Sequence, residues 1–185
     1  MKTNMKTKLK TILLSVILFM GMIGSAFAQT QASITSSATI MTDIVITANQ
    51  NIQFGNVAVS ETPILNALTG THTDVGSTAQ LGKLTVTGSG GGTVNVSWSN
   101  NNLTYNSKNL TFAPSVYRTA NSSLNHGETN VPTSGGGYTI NNSTDNSGTV
   151  GADYFWVGGT LTTGTLTDNP AGTYTGTFTL TVEYN

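Results

Sequence analysis

The sequence predicts an all-β protein, an antiparallel immunoglobulin-like β-sandwich. Three observations carry the prediction. In the last stretch, 172–185, Tyr174, Phe178, Leu180, Val182 and Tyr184 fall on even positions, and Thr173, Thr175, Thr177, Thr179, Thr181 and Glu183 fall on odd ones. Residues 32–48 alternate in the same way, with Ala32, Ile34, Ala38, Ile40, Ile44, Ile46 and Ala48 on one parity. Between them, short runs rich in β-branched residues are punctuated by Gly, Asn and Ser clusters, and almost nothing carries a helical period. Successive strand side chains point to opposite faces, so each alternating stretch is one apolar face backed by a polar one.

The elements follow in order. Lys2, Lys6, Lys8 and Lys10 precede an apolar run over 12–24 and the small-residue site Ser25-Ala-Phe-Ala28. This is the pattern of a secretory signal peptide, residues 1–28, cut after Ala28. The run is short for a membrane span. The chain is therefore expected to cross to the periplasm and reach the cell surface or the medium. Residues 29–42 form an N-terminal extended strand and 43–185 a β-sandwich domain. Seventeen alternating residues extend about 55 Å at roughly 3.3 Å each, more than one strand of a sandwich needs, so a break is expected near 41–43.

Residues 51–59 read as a short strand with Gly55 as a bend, and 61–80 as a polar connection with Pro63. Residues 81–87 and 93–99 read as strands joined by Gly88-Ser-Gly-Gly-Gly92 in a hairpin. Strands over 103–105 and 110–116 follow. Residues 119–150 carry little pattern beyond Tyr138 and Ile140. The run 154–161 is the densest in apolar residues, with Trp156 as a core anchor, and Thr167-Asp-Asn-Pro-Ala-Gly172 is a turn delivering the last strand. Gly176 interrupts the final apolar row as a bulge or close backbone approach would. A barrel or jelly roll is the alternative architecture.

After cleavage only Lys83, Lys108 and Arg118 remain against eight acids, a formal charge of −5. Nucleic acids and anionic membranes need clustered Lys and Arg, so neither is an expected partner. There is no cysteine, hence no disulfide. No nucleophile stands beside a base. The acids read as solvated carboxylates, and His72 with Asp74 would give two metal ligands where zinc takes three or four. Asp145-Asn-Ser-Gly148 lacks the ligand pattern of a calcium loop. The glycine run at 88–92 has neither the spacing nor the following helix of a phosphate cradle. The row Thr173 to Thr181 reads as an ordinary solvent face rather than an ice-binding ladder. No catalytic, metal or cofactor site is expected, and the protein is not expected to be an enzyme.

Several stretches in order resemble a secreted bacterial domain-of-unknown-function family, DUF4402: Ser37-Ala-Thr-Ile40 through Ile44-Val-Ile46 to Ile52-Gln-Phe-Gly55, then Leu84-Thr-Val-Thr-Gly88, Val157-Gly-Gly-Thr-Leu161, and 171–184. That family looks like a relative of the spore-coat-U and archaic chaperone–usher pilins. They share the alternating N-terminal strand, the following Phe-Gly and a last strand with a penultimate aromatic, here Tyr184. Many of those pilins carry a disulfide, which this chain lacks. The resemblance implies a fimbrial subunit that polymerises head-to-tail by strand exchange, with a periplasmic chaperone and an outer-membrane usher as partners. A sandwich short of one strand leaves an unpaired edge that an extended segment of another copy can fill. Ile34, Ala38 and Ile40 would be the inserted side chains of a donor strand. Tyr174, Phe178, Leu180, Val182 and Tyr184 would line the core or the acceptor strand. The alternative is a monomeric binding module, a carbohydrate-binding or adhesin-type sandwich, with Trp98, Tyr105, Tyr117 or Trp156 stacking on sugar. Trp98 shares parity with Val94 and Val96 and is expected to be buried.

Overall fold

Period-two alternation becomes ten strands among the described residues of the computed structural model, which are 33–38, 40–124, 132–140 and 150–185. They are β1 (Val45–Gln50), β2 (Ile64–Leu65), β3 (His72–Thr73), β4 (Gly82–Ser89), β5 (Thr93–Asn100), β6 (Leu103–Tyr105), β7 (Lys108–Thr119), β8 (Gly136–Thr139), β9 (Val150–Thr162) and β10 (Phe178–Tyr184). No helix occurs among the described residues. The chain divides into two compact units, Met1–Thr39 and Ile40–Asn185. Of the first unit only 33–38 are described; they are exposed and lack regular structure. The signal-peptide stretch, residues 29–32, His126 and the 145–148 turn lie outside the described residues.

All strand pairing is antiparallel, in two sheets. The larger runs β1-β4-β9-β7-β6, and β2 with β3 takes over along β9 where β4 stops. The smaller runs β10-β5-β8. This is a β-sandwich, as the alternation predicted. Strand β9 is central because its sequence is apolar on nearly every residue, as a strand covered on both faces should be. Between the sheets lies a core of Val86, Val94, Val96, Val116, Ile140, Phe155, Val157, Leu180 and Val182. Phe155 and Val157 are wholly buried, each worth about 1.5–3 kcal/mol against exposure. A second cluster gathers Phe54, Leu65, Ala67, Leu81, Leu110, Phe112, Tyr117 and Leu161.

Several readings of the sequence need correction, among them the strand over 51–59, where only Gln53 makes a bridge, to Gln80. The glycine run at 88–92 is not a hairpin: β4 and β5 belong to different sheets, and the run carries the chain across the sandwich. Alternation in both flanking strands is the same for a hairpin and a crossing. What differs is the partner, since β4 pairs with β1 and β9 while β5 pairs with β10 and β8. The connection 61–80 is not merely polar. It holds β2 and β3, and buries Pro63, Leu65 and Ala67. The eight acids are not all solvated. Asp153 is fully buried and accepts a 2.8 Å ion-pair hydrogen bond from Arg118.

The ion pair lies within the larger sheet, and Arg118 links it to the smaller one. Arg118 of β7 also donates to the Thr139 carbonyl of β8 at 2.7 Å, and its guanidinium stacks 4.2 Å from the Tyr138 ring. Burial pushes the Tyr138 phenol well above its ordinary pKa. The Asp153 carboxylate adds to the rise and Arg118 opposes it, so the phenol stays neutral.

Candidate functional site: an open cleft between the sheets

The segment 172–178, which leads into the last strand, supplies one wall of the site. Leu180 and Val182 are buried, Phe178 and Tyr184 half-buried, and Thr179, Thr181 and Glu183 exposed. The even-parity face predicted from sequence is the core face. Tyr174 lies upstream of β10 and packs on the second cluster. Among the described residues β10 pairs only with β5, so its other edge is free. Asn101 N–H donates to the Thr177 carbonyl and Asn185 N–H to the Thr93 carbonyl. Antiparallel ladders alternate, so the odd residues of β10 bond to β5. The backbone groups of Phe178, Leu180 and Val182 therefore point to the free edge. One set of residues presents both the apolar row and the open hydrogen-bonding row.

Strand β1 forms the facing edge and pairs only with β4 among the described residues. Ile46 sits beside Val86 in register and shares its face. Yet Ile46 is 37% exposed where Val86 is 0%. Nothing from the smaller sheet covers β1. Between the two edges opens a cleft of about 710 Å³. Its walls are 48–57 on one side and 172–178 on the other. Leu84, Leu103, Phe112, Val157 and Leu161 line it as well. The wall 172–178 is fastened by backbone bonds between Thr175 and Thr104, and Gly172 lies against the Tyr105 ring. A Cβ on Gly172 would lie 2.1 Å from Tyr105 Cε1, and Tyr105 is itself packed on Tyr174 at 5.5 Å. Gly172→Ala is expected to lower stability by about 1–3 kcal/mol through overpacking, read from the urea midpoint.

Beyond the cleft, at the carboxyl end of β10, the two edges are tied together. Tyr184 Oη donates to the Thr42 carbonyl at 2.7 Å and accepts from Ser89 N–H at 2.6 Å. Ser89 Oγ in turn accepts from Thr42 N–H at 2.6 Å. The break expected near 41–43 is thus a fixed point where the chain joins the sandwich. A Cβ on Gly88 would meet Tyr184 Oη at 2.7 Å, so the missing side chain makes room for the hydroxyl.

Of the other sequence-derived residues, Ile34 and Ile40 are 96% and 95% exposed, and Ala38 is exposed too. None of the three lies in a strand. Trp98 is half-buried against the inter-sheet core rather than fully enclosed. Tyr117 is buried, and Tyr105 and Trp156 are half-buried. Trp156 is less a core anchor than a platform: Lys83 Nζ lies 4.7 Å from its ring, and its Nε1 donates to Thr119 Oγ1. His72 lies in β3, and among the described residues no group of three His, Asp or Glu could hold a metal. No helix among them is long and apolar enough to cross a membrane.

The family model for the domain of unknown function DUF4402 matches residues 44–184. The chain belongs to that family. In DUF4402 terms the match begins at Ile44, just after the Thr42 anchor, and ends on Tyr184, so it takes in both walls of the cleft. No curated protein and no solved structure gives a significant match.

Proposed function

We propose that this DUF4402 chain is an exported structural subunit of a fimbria-like surface fibre, assembled by β-strand exchange and not an enzyme. The observation that carries the reading is the free edge of β10, where its apolar row and unpaired backbone groups lie together and run into the open cleft at Phe178. An added strand would gain main-chain hydrogen bonds along that edge and bury alternate side chains below it. The occupant is the N-terminal segment of a second copy. Seven residues run from Ile34 to Ile40, and β10 has seven, each about 23 Å at roughly 3.3 Å per residue. Their exposed isoleucines are the apolar side chains such a strand needs.

The ends of the sandwich favour a filament. The chain joins the domain at Thr42, beside Tyr184, while the cleft opens at the other end of β10, near 172–178. Copies stacked in one orientation therefore bring the N-terminal segment of one to the mouth of the next. Ile40 would sit at the mouth and Ile34 deeper, antiparallel to β10. Such a contact does not close and builds a fibre. The half-buried or buried state of Trp98, Tyr105, Tyr117 and Trp156 leaves the sugar-stacking alternative with less support. Export through a signal peptide, with a periplasmic chaperone and an outer-membrane usher as partners, is part of the same proposal.

Protein sheared from cells and run on SDS gels without boiling is expected to give a ladder at multiples of the subunit mass, collapsing on boiling. Deleting 29–40 should abolish it. A single monomer band in both lanes overturns the reading.

A further inference from the structure

We infer that Tyr184, clamped to Thr42 and Ser89, is an end-stop that sets the register of a strand added along the free edge of β10. The inference rests on the free edge of β10 being a strand acceptor. Register is otherwise weakly fixed here. The donor carries Ile34, Ser36, Ala38 and Ile40 on its inserted parity, and the free edge of β10 is regular from Phe178 to Val182. Slips of two residues keep every side chain on the same face. Something other than parity must choose among them.

The tied end of β10 makes that choice. Tyr184, Ile140 and Ile44 converge on Gly88, as the contacts of a Cβ built there show at 2.7, 2.8 and 3.6 Å. Ile44 and Tyr184 pack on the same apolar core. Three hydrogen bonds, two at Tyr184 Oη and one at Ser89 Oγ, hold this plug. Burial of apolar side chains draws an incoming strand inward, and the plug halts it beyond Val182. The selected register sets Ile34 beside Val182, Ser36 beside Leu180, Ala38 beside Phe178 and Ile40 beside Gly176. A two-residue slip inward would drive Ile34 into Tyr184.

The chain has no cysteine, so introduced pairs report register directly. Partners across a ladder lie within disulfide reach, whereas a slip of two residues takes them beyond it. Full-length chains carrying Ala38→Cys with Phe178→Cys are expected to oxidise into covalent ladders that survive boiling. Chains carrying Ala38→Cys with Leu180→Cys should cross-link at least tenfold less. Adding Tyr184→Phe, which keeps the ring and removes both hydroxyl bonds, should bring the two pairs within about twofold of each other. Ser89→Ala loosens Thr42 without touching Tyr184 and should act in the same direction, which guards against a fault peculiar to one variant. An unchanged preference in both backgrounds, or a preference for Leu180 in the parent, overturns the end-stop while leaving strand exchange standing. Absence of ladders in the cysteine-free parent overturns strand exchange itself, and the end-stop with it.

Discussion

Asp153→Ala is expected to lower the unfolding free energy by about 3–5 kcal/mol, read from urea unfolding followed by tryptophan fluorescence. The carboxylate is wholly buried, and the Arg118 side chain is only 14% exposed. Removing the acid strands a guanidinium between the sheets with the Thr139 carbonyl and the Tyr138 ring as its remaining contacts. Arg118 Nε and Tyr138 Oη already lack hydrogen-bond partners, and no second carboxylate stands among the groups described around the guanidinium to replace the lost charge. Replacing both members, Arg118→Met with Asp153→Leu, should restore most of the loss, because two apolar side chains of similar volume need no pairing. Glu183→Ala on the exposed face of β10 is the control, expected within about 0.5 kcal/mol of the parent. If Asp153→Ala matched that control, the ion pair would have no structural role.

Gly159→Ala is expected to cost about 2–6 kcal/mol, from backbone strain of about 1–3 and overpacking of about 1–3. Gly159 has φ +143°, a conformation that side-chain-bearing residues rarely adopt. A Cβ there would stand 2.3 Å from the Ala113 carbonyl and 2.8 Å from Pro114 Cα, both backbone atoms of β7. Neither can retreat without breaking the β7–β9 ladder. Gly164→Ala is the comparison. Its φ of +64° also favours glycine, but its close neighbour is the Asn169 side chain, which can shift at the cost of one hydrogen bond to the Thr163 carbonyl. Thermal unfolding of the two variants should separate by several degrees, with Gly159→Ala much the lower. Equal melting temperatures would mean that β9 bends freely at this point.

The inward face of β10 was legible because it obeys one rule without exception from Phe178 to Tyr184. The cleft was less so. One of its walls, 48–57, has no long alternating run, and a wall is defined by what fails to cover it. Asp153 was hidden for a different reason. It sits at inward parity with Phe155 and Val157 in the densest apolar run, a signal that was there to read, but its partner Arg118 lies 35 residues away. Parity places a side chain on a face without naming its partner across the core. The same limit explains the run at 88–92, where alternation on both sides gave no hint that the strands part to different sheets. Residues 64–65 are too few for any period to show.

The position of β10 also governs when the protein can fold. Strand β5 has β10 as one of its two neighbours, and Tyr184 is bonded to Thr42 across 142 residues of sequence. A chain emerging amino end first holds most of its strands before the last one appears. Until then β5 shows a bare edge and the inter-sheet core lacks Leu180 and Val182. Assembly of the sandwich is therefore a late, whole-chain event with high contact order, and it is slow for that reason. A truncation of even the last eight residues would leave a sticky, half-built intermediate rather than a smaller domain.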